Sequence, residues 1–350
     1  MNIESIADIQ KLLISGFNKW AECGDVVVRR KGDLAIFNYT NAAQFAERWN
    51  FFERVSRGLI LNAVTGEIVA RSFDKFFNWG EGGRTIDAPL ELVMEKIDGS
   101  LGLLYRDNGY KIATRGSFAS PQAQWATQFL NAHYKLDGLP DEWTLLFEIV
   151  YPANRIVVDY GNRQDLVLLA IRHRHTGDYL PHHTVQQVAK QYAFCLPKVY
   201  HFESIEEMMA QQLLIDSNQE GWIGIFADGS RFKFKGLAYM KLHKLVTGLT
   251  FNKVLSAMQY GTIQQILDVV PDEFLAETYQ WIDEIQHTIN QIKQEVTSIF
   301  EAAPKESRKE FALWVIKHHK TRKAYLFNML DGRDIEPLIY KYAFKERSNS

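Results

Sequence analysis

Short apolar runs rich in Val, Ile, Leu and Phe, broken by turn residues, fill the chain from Asp25 to about Lys235, and apolar residues recur at every third or fourth position in the long stretch thereafter, so the chain predicts two architectures. The runs at 101–105 and 110–114 flank Asp107-Asn108-Gly109, where Asn and Gly tolerate the positive φ of a tight turn, and this predicts a hairpin. Further strands are expected at 144–151, 156–160, 166–173, 221–226 and 231–235, with a helix over 121–134. After Gly236, Trp281, Ile282, Ile285, Ile289, Ile292, Val296 and Ile299 mark one stripe of a long helix that starts near Pro271 and is closed by Pro304. Two or three more helices are expected around 306–318, 322–330 and 335–344. The fold class is therefore α+β: a domain over 1–240 of antiparallel sheets with flanking helices, followed by an all-α domain over 245–350.

Composition narrows the function. A chain of 350 residues, 46% hydrophobic, can bury a sizeable core and is no disordered tail. Lys and Arg total 40 against 42 for Asp and Glu, so contact with nucleic acid must come from local patches. Cys23 and Cys195 stand alone, which excludes a disulfide framework and a zinc knuckle. The start, Met1-Asn2-Ile3-Glu4, carries no export signal, and no apolar stretch has membrane-spanning length, so a cytoplasmic protein without membrane contact is expected. Neither a P-loop nor a Gly-x-Gly-x-x-Gly fingerprint occurs.

One short run carries candidate chemistry. In Leu92-Val93-Met94-Glu95-Lys96-Ile97-Asp98-Gly99-Ser100 a Lys ends an apolar strand and is followed by an acid, a Gly and a hydroxyl. A partly buried Lys amine can be a nucleophile, and Gly99 lets backbone approach a phosphate or ribose. Taken alone, the run reads as a β-turn with a solvated Lys. Four further elements change that reading. Glu148 interrupts an apolar strand, where an unpaired carboxylate is expensive. Glu220 stands at the mouth of another strand. Alternation puts Arg231, Lys233 and Lys235 on one face of a strand and Phe232 and Phe234 on the other, although a solvated basic edge fits that pattern equally well. Upstream, Arg57 and Lys75 are placed to reach the outer phosphates of a nucleotide, and Phe76, Phe77 and Trp79 offer a stacking platform or core. His173, His175, His182 and His183 read as a solvated strand end rather than a metal site.

The ordered set Lys96-Ile97-Asp98-Gly99, Phe147-Glu148, Glu220-Gly221 and Lys233-Phe234-Lys235 resembles motifs I, III, IV and V of the covalent nucleotidyltransferases. With Ser56-Arg57-Gly58 and Asp74-Lys75-Phe76-Phe77-Asn78 upstream, it is most similar to the phage type 1 RNA ligases and the ligase domain of fungal tRNA ligases. The resemblance implies an ATP-grasp-like nucleotidyltransferase domain and an ATP-dependent RNA ligase that joins a 3′-hydroxyl to a 5′-phosphate through lysyl-AMP and RNA-adenylate, in RNA or tRNA repair. It implies Lys96 as nucleophile and Arg57, Lys75, Glu95, Asp98, Gly99, Glu148, Lys233 and Lys235 as nucleotide-binding residues. Glu148 and Glu220 are implied as supports for Mg²⁺, with Mn²⁺ as a substitute. The alternatives are an inactive RNA-binding relative, or a DNA ligase or capping-type enzyme. No segment for healing RNA ends is visible, so a separate kinase or phosphatase is an expected partner.

Between Lys305 and Ser350 cations exceed anions by five. The dense cluster His318, His319, Lys320, Arg322 and Lys323, with Lys317, is a candidate for RNA-phosphate contact, or a solvated helix face. Arg115 in Thr114-Arg115-Gly116-Ser117 is a further RNA or nucleotide candidate, or a packed hairpin end.

Overall fold

The computed structural model describes residues 2–344 apart from 47–48, 268–269 and 271, and the chain divides into two units, Met1–Val246 and Thr247–Ser350. The first helix, Ile6–Ile14, opens with a reciprocal cap: Asp8 N donates to Ser5 Oγ at 3.2 Å and Ser5 N donates to Asp8 Oδ2 at 2.9 Å. Four strands follow: β1 (Val26–Lys31), β2 (Leu34–Tyr39), β3 (Arg57–Asn62) and β4 (Ile68–Ala70). They pair antiparallel in that order, and Phe37, Leu59 and Leu61 pack with Ile9, Leu13, Trp20 and Phe52 beneath them.

The next strands are β5 (Phe77–Asn78), β6 (Leu90–Glu95), β7 (Ser100–Arg106), β8 (Tyr110–Thr114), β9 (Trp143–Val150) and β10 (Asp165–His173). The chain then adds β11 (Val199–Tyr200), β12 (Gly221–Phe226) and β13 (Arg231–Lys235). The hairpin β7–β8 turns through Asn108 (φ 52°) and Gly109 (φ 111°), as the Asn-Gly pair predicts. One sheet has the order β10-β9-β7-β8, covered by helices Pro121–His133 and His182–Tyr192 through Ala126, Leu130, Val185 and Val188. Ser120 caps the first of these helices and Pro121 occupies its first position. The other sheet runs β11-β6-β12-β13-β5, antiparallel except for the parallel pair β13–β5. Phe232 and Phe234 turn inward to Trp222 and Phe226, which leaves Lys233 and Lys235 on the opposite face.

One expected strand is absent. Residues 156–160 are irregular, because the N–H groups of Val157 and Val158 donate to the Asp98 carboxylate at 2.9 and 2.8 Å instead of to a ladder. Of the two roles open to Trp79, platform or core, the packing is that of core: it stacks on Phe226 and Phe234 with centroids 5.6 and 5.5 Å away.

Among its described residues the second unit is helical: Phe251–Gln259, Ile263–Leu267, Asp272–Ala302, Arg308–His318, Lys323–Leu330 and Glu336–Tyr342, with a short 3₁₀ turn at Lys320–Arg322. Ile285, Ile289, Ile292 and Val296 of the long helix are buried against Phe311, Val315, Leu326 and Ile339. The expected start at Pro271 and the tail charges Lys345, Glu346 and Arg347 lie outside the described residues.

Candidate active site

Lys96 leaves the end of β6 beside the start of β12, and its backbone N–H donates to Gly221 O at 2.9 Å. That register sets its side chain against Glu220: Nζ lies 2.6 Å from Oε2. The other oxygen of Glu220 lies 3.3 Å from Lys235 Nζ, so one carboxylate, 4% exposed, holds two ammonium groups. Gly221 (φ +140°) makes this approach possible, because a Cβ there would land on the Phe234 carbonyl oxygen.

The loop after Lys96 is held from three sides. Asp98 N donates to the Tyr160 hydroxyl at 2.9 Å. Asp98 Oδ2 accepts from Val157 and Val158, and Oδ1 accepts from the Tyr239 hydroxyl at 2.9 Å. The carboxylate, which the resemblance implies as a nucleotide contact, is saturated by protein donors and 4% exposed; it fixes the loop rather than offering an open surface. Gly99 packs closely too: a Cβ there would stand 2.6 Å from Ile149 O and 3.1 Å from Glu148 Cγ, so glycine lets the loop lie against β9. Ser100 Oγ donates to Asn154 Oδ1 at 3.0 Å and Asn154 Nδ2 donates to Ile149 O at 2.8 Å, tying the loop to β9. Glu95, one residue before Lys96, alternates to the other face of β6 and acts electrostatically on Tyr200 and on Tyr160.

Glu148, half-buried, points from β9 toward these charges. Loss of hydration pushes its carboxyl up to about 8; Lys96 opposes the shift, Glu220 and Asp98 reinforce it, and Arg57 opposes it. Arg57 carries a buried Nη1 without a hydrogen-bond partner among the described residues, and its guanidinium stands 5.6 Å from the Phe76 ring centroid. Lys233 Nζ stands 5.5 Å from the same ring. These residues meet in one polar floor: Lys96, Glu148, Glu220, Lys233 and Lys235, with Arg57 at its edge.

Lys75 is placed elsewhere. It is 3% exposed, bonded to Gln44 Oε1, and enclosed by Tyr39, Trp49 and Phe77 with ring centroids at 5.6, 4.9 and 5.4 Å. Such cation–π enclosure holds an ammonium inward, which departs from the expectation that Lys75 reaches a nucleotide. Arg115 donates to the Tyr39 hydroxyl at 3.2 Å and lies 5.0 Å from that ring, a packed hairpin end. In the second unit Lys317, Lys320 and Lys323 are exposed, whereas Arg322 makes a two-point contact with Glu295 at 2.9 and 2.8 Å and is not an open cation.

A divalent cation fits this floor. Glu148 is desolvated beside two like charges, a strain that a hard cation relieves, and two carboxylate ligands completed by phosphate oxygens suit a hard divalent cation. Among the described residues no three His, Cys, Asp or Glu side chains converge as a cage, so such an ion would be shared with a bound phosphate. No helix among them is long and apolar enough to cross a membrane.

The sequence profile of the family described as RNA ligase matches residues 55–235, just over half of the chain. A proposed bifunctional polynucleotide kinase/RNA ligase of Autographa californica nuclear polyhedrosis virus is 32% identical over 286 residues, covering 70% of this chain but only 39% of the viral protein. An RNA ligase of Rhodothermus phage RM378 is 23% identical, covering 88% of this chain and 87% of its own length. A solved mutant of the Naegleria gruberi RNA ligase with AMP and Mn overlaps 44% of this chain and 51% of its own at 21% identity and a TM-score of 0.37.

Proposed function

The chain belongs to the RNA ligase family, and from that premise we propose that it is an ATP-dependent RNA ligase working through a covalent Lys96–AMP. The observation that supports this most is the Lys96–Glu220–Lys235 array, in which one buried carboxylate restrains two ammonium groups at the ends of β6 and β13, the two strands that flank β12. Such an array is poised for an anion: a phosphate that takes Lys235 from Glu220 also loosens the hold on Lys96.

In the first step Lys96 Nζ attacks the α-phosphorus of ATP. The N–P bond forms, the bond to the pyrophosphate oxygen breaks and one N–H proton leaves to solvent, after the ammonium has given up its first proton to become the attacking amine. Glu220 Oε2, 2.6 Å away, is the nearest acceptor for that first proton. Lys233 and Lys235 set positive charge where negative charge grows on phosphorus, and Arg57 spends its unpartnered donor on an outer phosphate. Mg²⁺, or Mn²⁺ as a substitute, would sit on Glu148 and Glu220 and neutralise phosphate charge. In this reading Asp98 and Gly99 position the Lys96 loop and Lys75 braces the aromatic wall. The AMP then passes from Lys96 to an RNA 5′-phosphate, and a 3′-hydroxyl attacks that end, closing the phosphodiester and releasing AMP.

The substrate is RNA with 3′-hydroxyl and 5′-phosphate ends, as left in damaged RNA, tRNA included, once a kinase or phosphatase has prepared them. Incubation with ATP and Mg²⁺ followed by intact-mass analysis, then with 5′-phosphate RNA, tests the reading. An AMP adduct that discharges into RNA is expected; a protein that takes up no AMP contradicts it.

A further inference from the structure

The third cation on the basic face of β13 has different company. Arg231 lies over the Tyr179 ring, 3.6 Å from its centroid, and donates to Gly229 O at 3.1 Å. Tyr179 is also 4.8 Å from Arg172 and stacks on Phe73 at 5.7 Å. Arg172, 3% exposed, donates through Nε to Gly177 O at 2.7 Å, through Nη1 to Ser72 O, and through both terminal nitrogens to Asp74 at 2.9 and 2.8 Å. Arg71 lays its guanidinium across Gly177, where a Cβ would collide with it.

Counting donors separates the three arginines. Four of the five N–H donors of Arg172 are committed, so Arg172 is an anchor. The Arg71 side chain makes no hydrogen bond among the described residues, and its Nε is buried without a partner. Arg231 commits a single donor. Three guanidiniums face two carboxylates, Asp74 and Asp178. Burial pushes Arg71 and Arg231 below the usual arginine range, and the like charge of Arg172 acts in the same direction. Desolvated guanidinium charge in excess of carboxylate is unfavourable until an anion completes it, and the guanidinium fork matches a phosphate.

We propose that Arg231 and Arg71, each beside the Arg172–Asp74 anchor, offer a second place where phosphate of the RNA strand is held during sealing; this rests on reading the cleft as that of an RNA ligase. Along β13, Arg231 is four residues from Lys235, roughly 13 Å at strand rise, so it serves a different phosphate from the one at Lys96. Once pyrophosphate has left, the nucleotide retains only its α-phosphate. RNA is then the reactant with phosphates further along the face.

The test compares Arg71→Ala/Arg231→Ala and Arg231→Lys with the wild type in two assays: Lys96–AMP formation across ATP concentrations, and sealing of pre-adenylated RNA at two salt concentrations. For the double variant, charging should stay within about twofold while the half-saturating RNA concentration rises about tenfold, the loss expected of hydrogen bonds to a charged group. Its salt slope should fall by about 0.7, the value for one single-strand phosphate. Arg231→Lys keeps the charge and loses the fork; weaker RNA binding with unchanged melting is expected, and this variant decides the matter should the double variant melt early. A raised ATP requirement with unchanged sealing would assign the anion to the nucleotide and overturn the proposal. So would an unchanged result in both assays, which would leave the cluster purely structural. A wild-type protein that neither charges nor seals would overturn the ligase reading itself, whatever the arginines do.

Discussion

Lys235 and Arg231 stand on one face of one strand, four residues apart, yet they are held in opposite ways. Lys235 is tied to a buried carboxylate that also grips Lys96, so an incoming phosphate must compete with Glu220 for both ammonium groups. Arg231 rests on the ring of Tyr179, which attracts a cation without neutralising it. Alternation along β13 sets the face a side chain takes, and the segments that fold over that face set its chemistry. On the proposed reading the two ends of the strand serve different steps.

The largest effect expected is in charging. Lys235→Ala and Lys233→Ala should each slow Lys96–AMP formation by about 100-fold or more, the scale for removing a donor that meets developing charge, while Arg231→Ala stays within about threefold. Rapid-quench measurement of pyrophosphate release checks this, and equal losses would erase the distinction between the two ends.

A second effect concerns Glu148, whose carboxyl is raised to about 8 from 4.5. The folded protein holds this proton across a window where the unfolded chain has released it, so stability falls as pH rises from 4.5 to about 8, by up to roughly 1.4 kcal/mol per pH unit. Glu148→Gln should melt like the wild type at pH near 5 and several degrees higher at pH near 9 in metal-free buffer. Parallel melting curves at both pH values would show that the carboxylate is well solvated. The smallest effect expected is in the helical unit. Neutralising Lys317, Lys320 and Lys323 while leaving Arg322 on Glu295 should weaken sealing at low salt by about threefold and leave charging unchanged. An unchanged salt slope would remove this patch from RNA binding.

Much of this arrangement was readable from short-range pattern. Lys96 at the end of an apolar strand, Glu148 breaking another and the split of β13 into Phe and Lys faces follow from period two. The Ile stripe of the long helix follows from period 3.6, and the cap of Ile6–Ile14 was legible in Ser5 and Asp8 though periodicity alone misses it. What stayed hidden is non-local. Asp98 is bonded to Tyr239, 141 residues away, and Val157 and Val158 give up a ladder to serve the same carboxylate. Lys75 turns inward because Tyr39, Trp49 and Phe77 converge from three segments, and Arg172 and Tyr179 meet Arg231 for the same kind of reason. None of these leaves a local signature, because each depends on which strands become neighbours.

The central claim is that Lys96 is the nucleophile, freed from Glu220 when a nucleotide phosphate engages the floor of the cleft. The most direct measurement is peptide mapping of the protein after incubation with ATP and Mg²⁺, on wild type and Lys96→Ala side by side. The account predicts AMP on Lys96 alone, through an acid-labile N–P bond, and no adduct in a folded Lys96→Ala protein. An adduct on another lysine, or one linked through a carboxyl or hydroxyl oxygen, would contradict it.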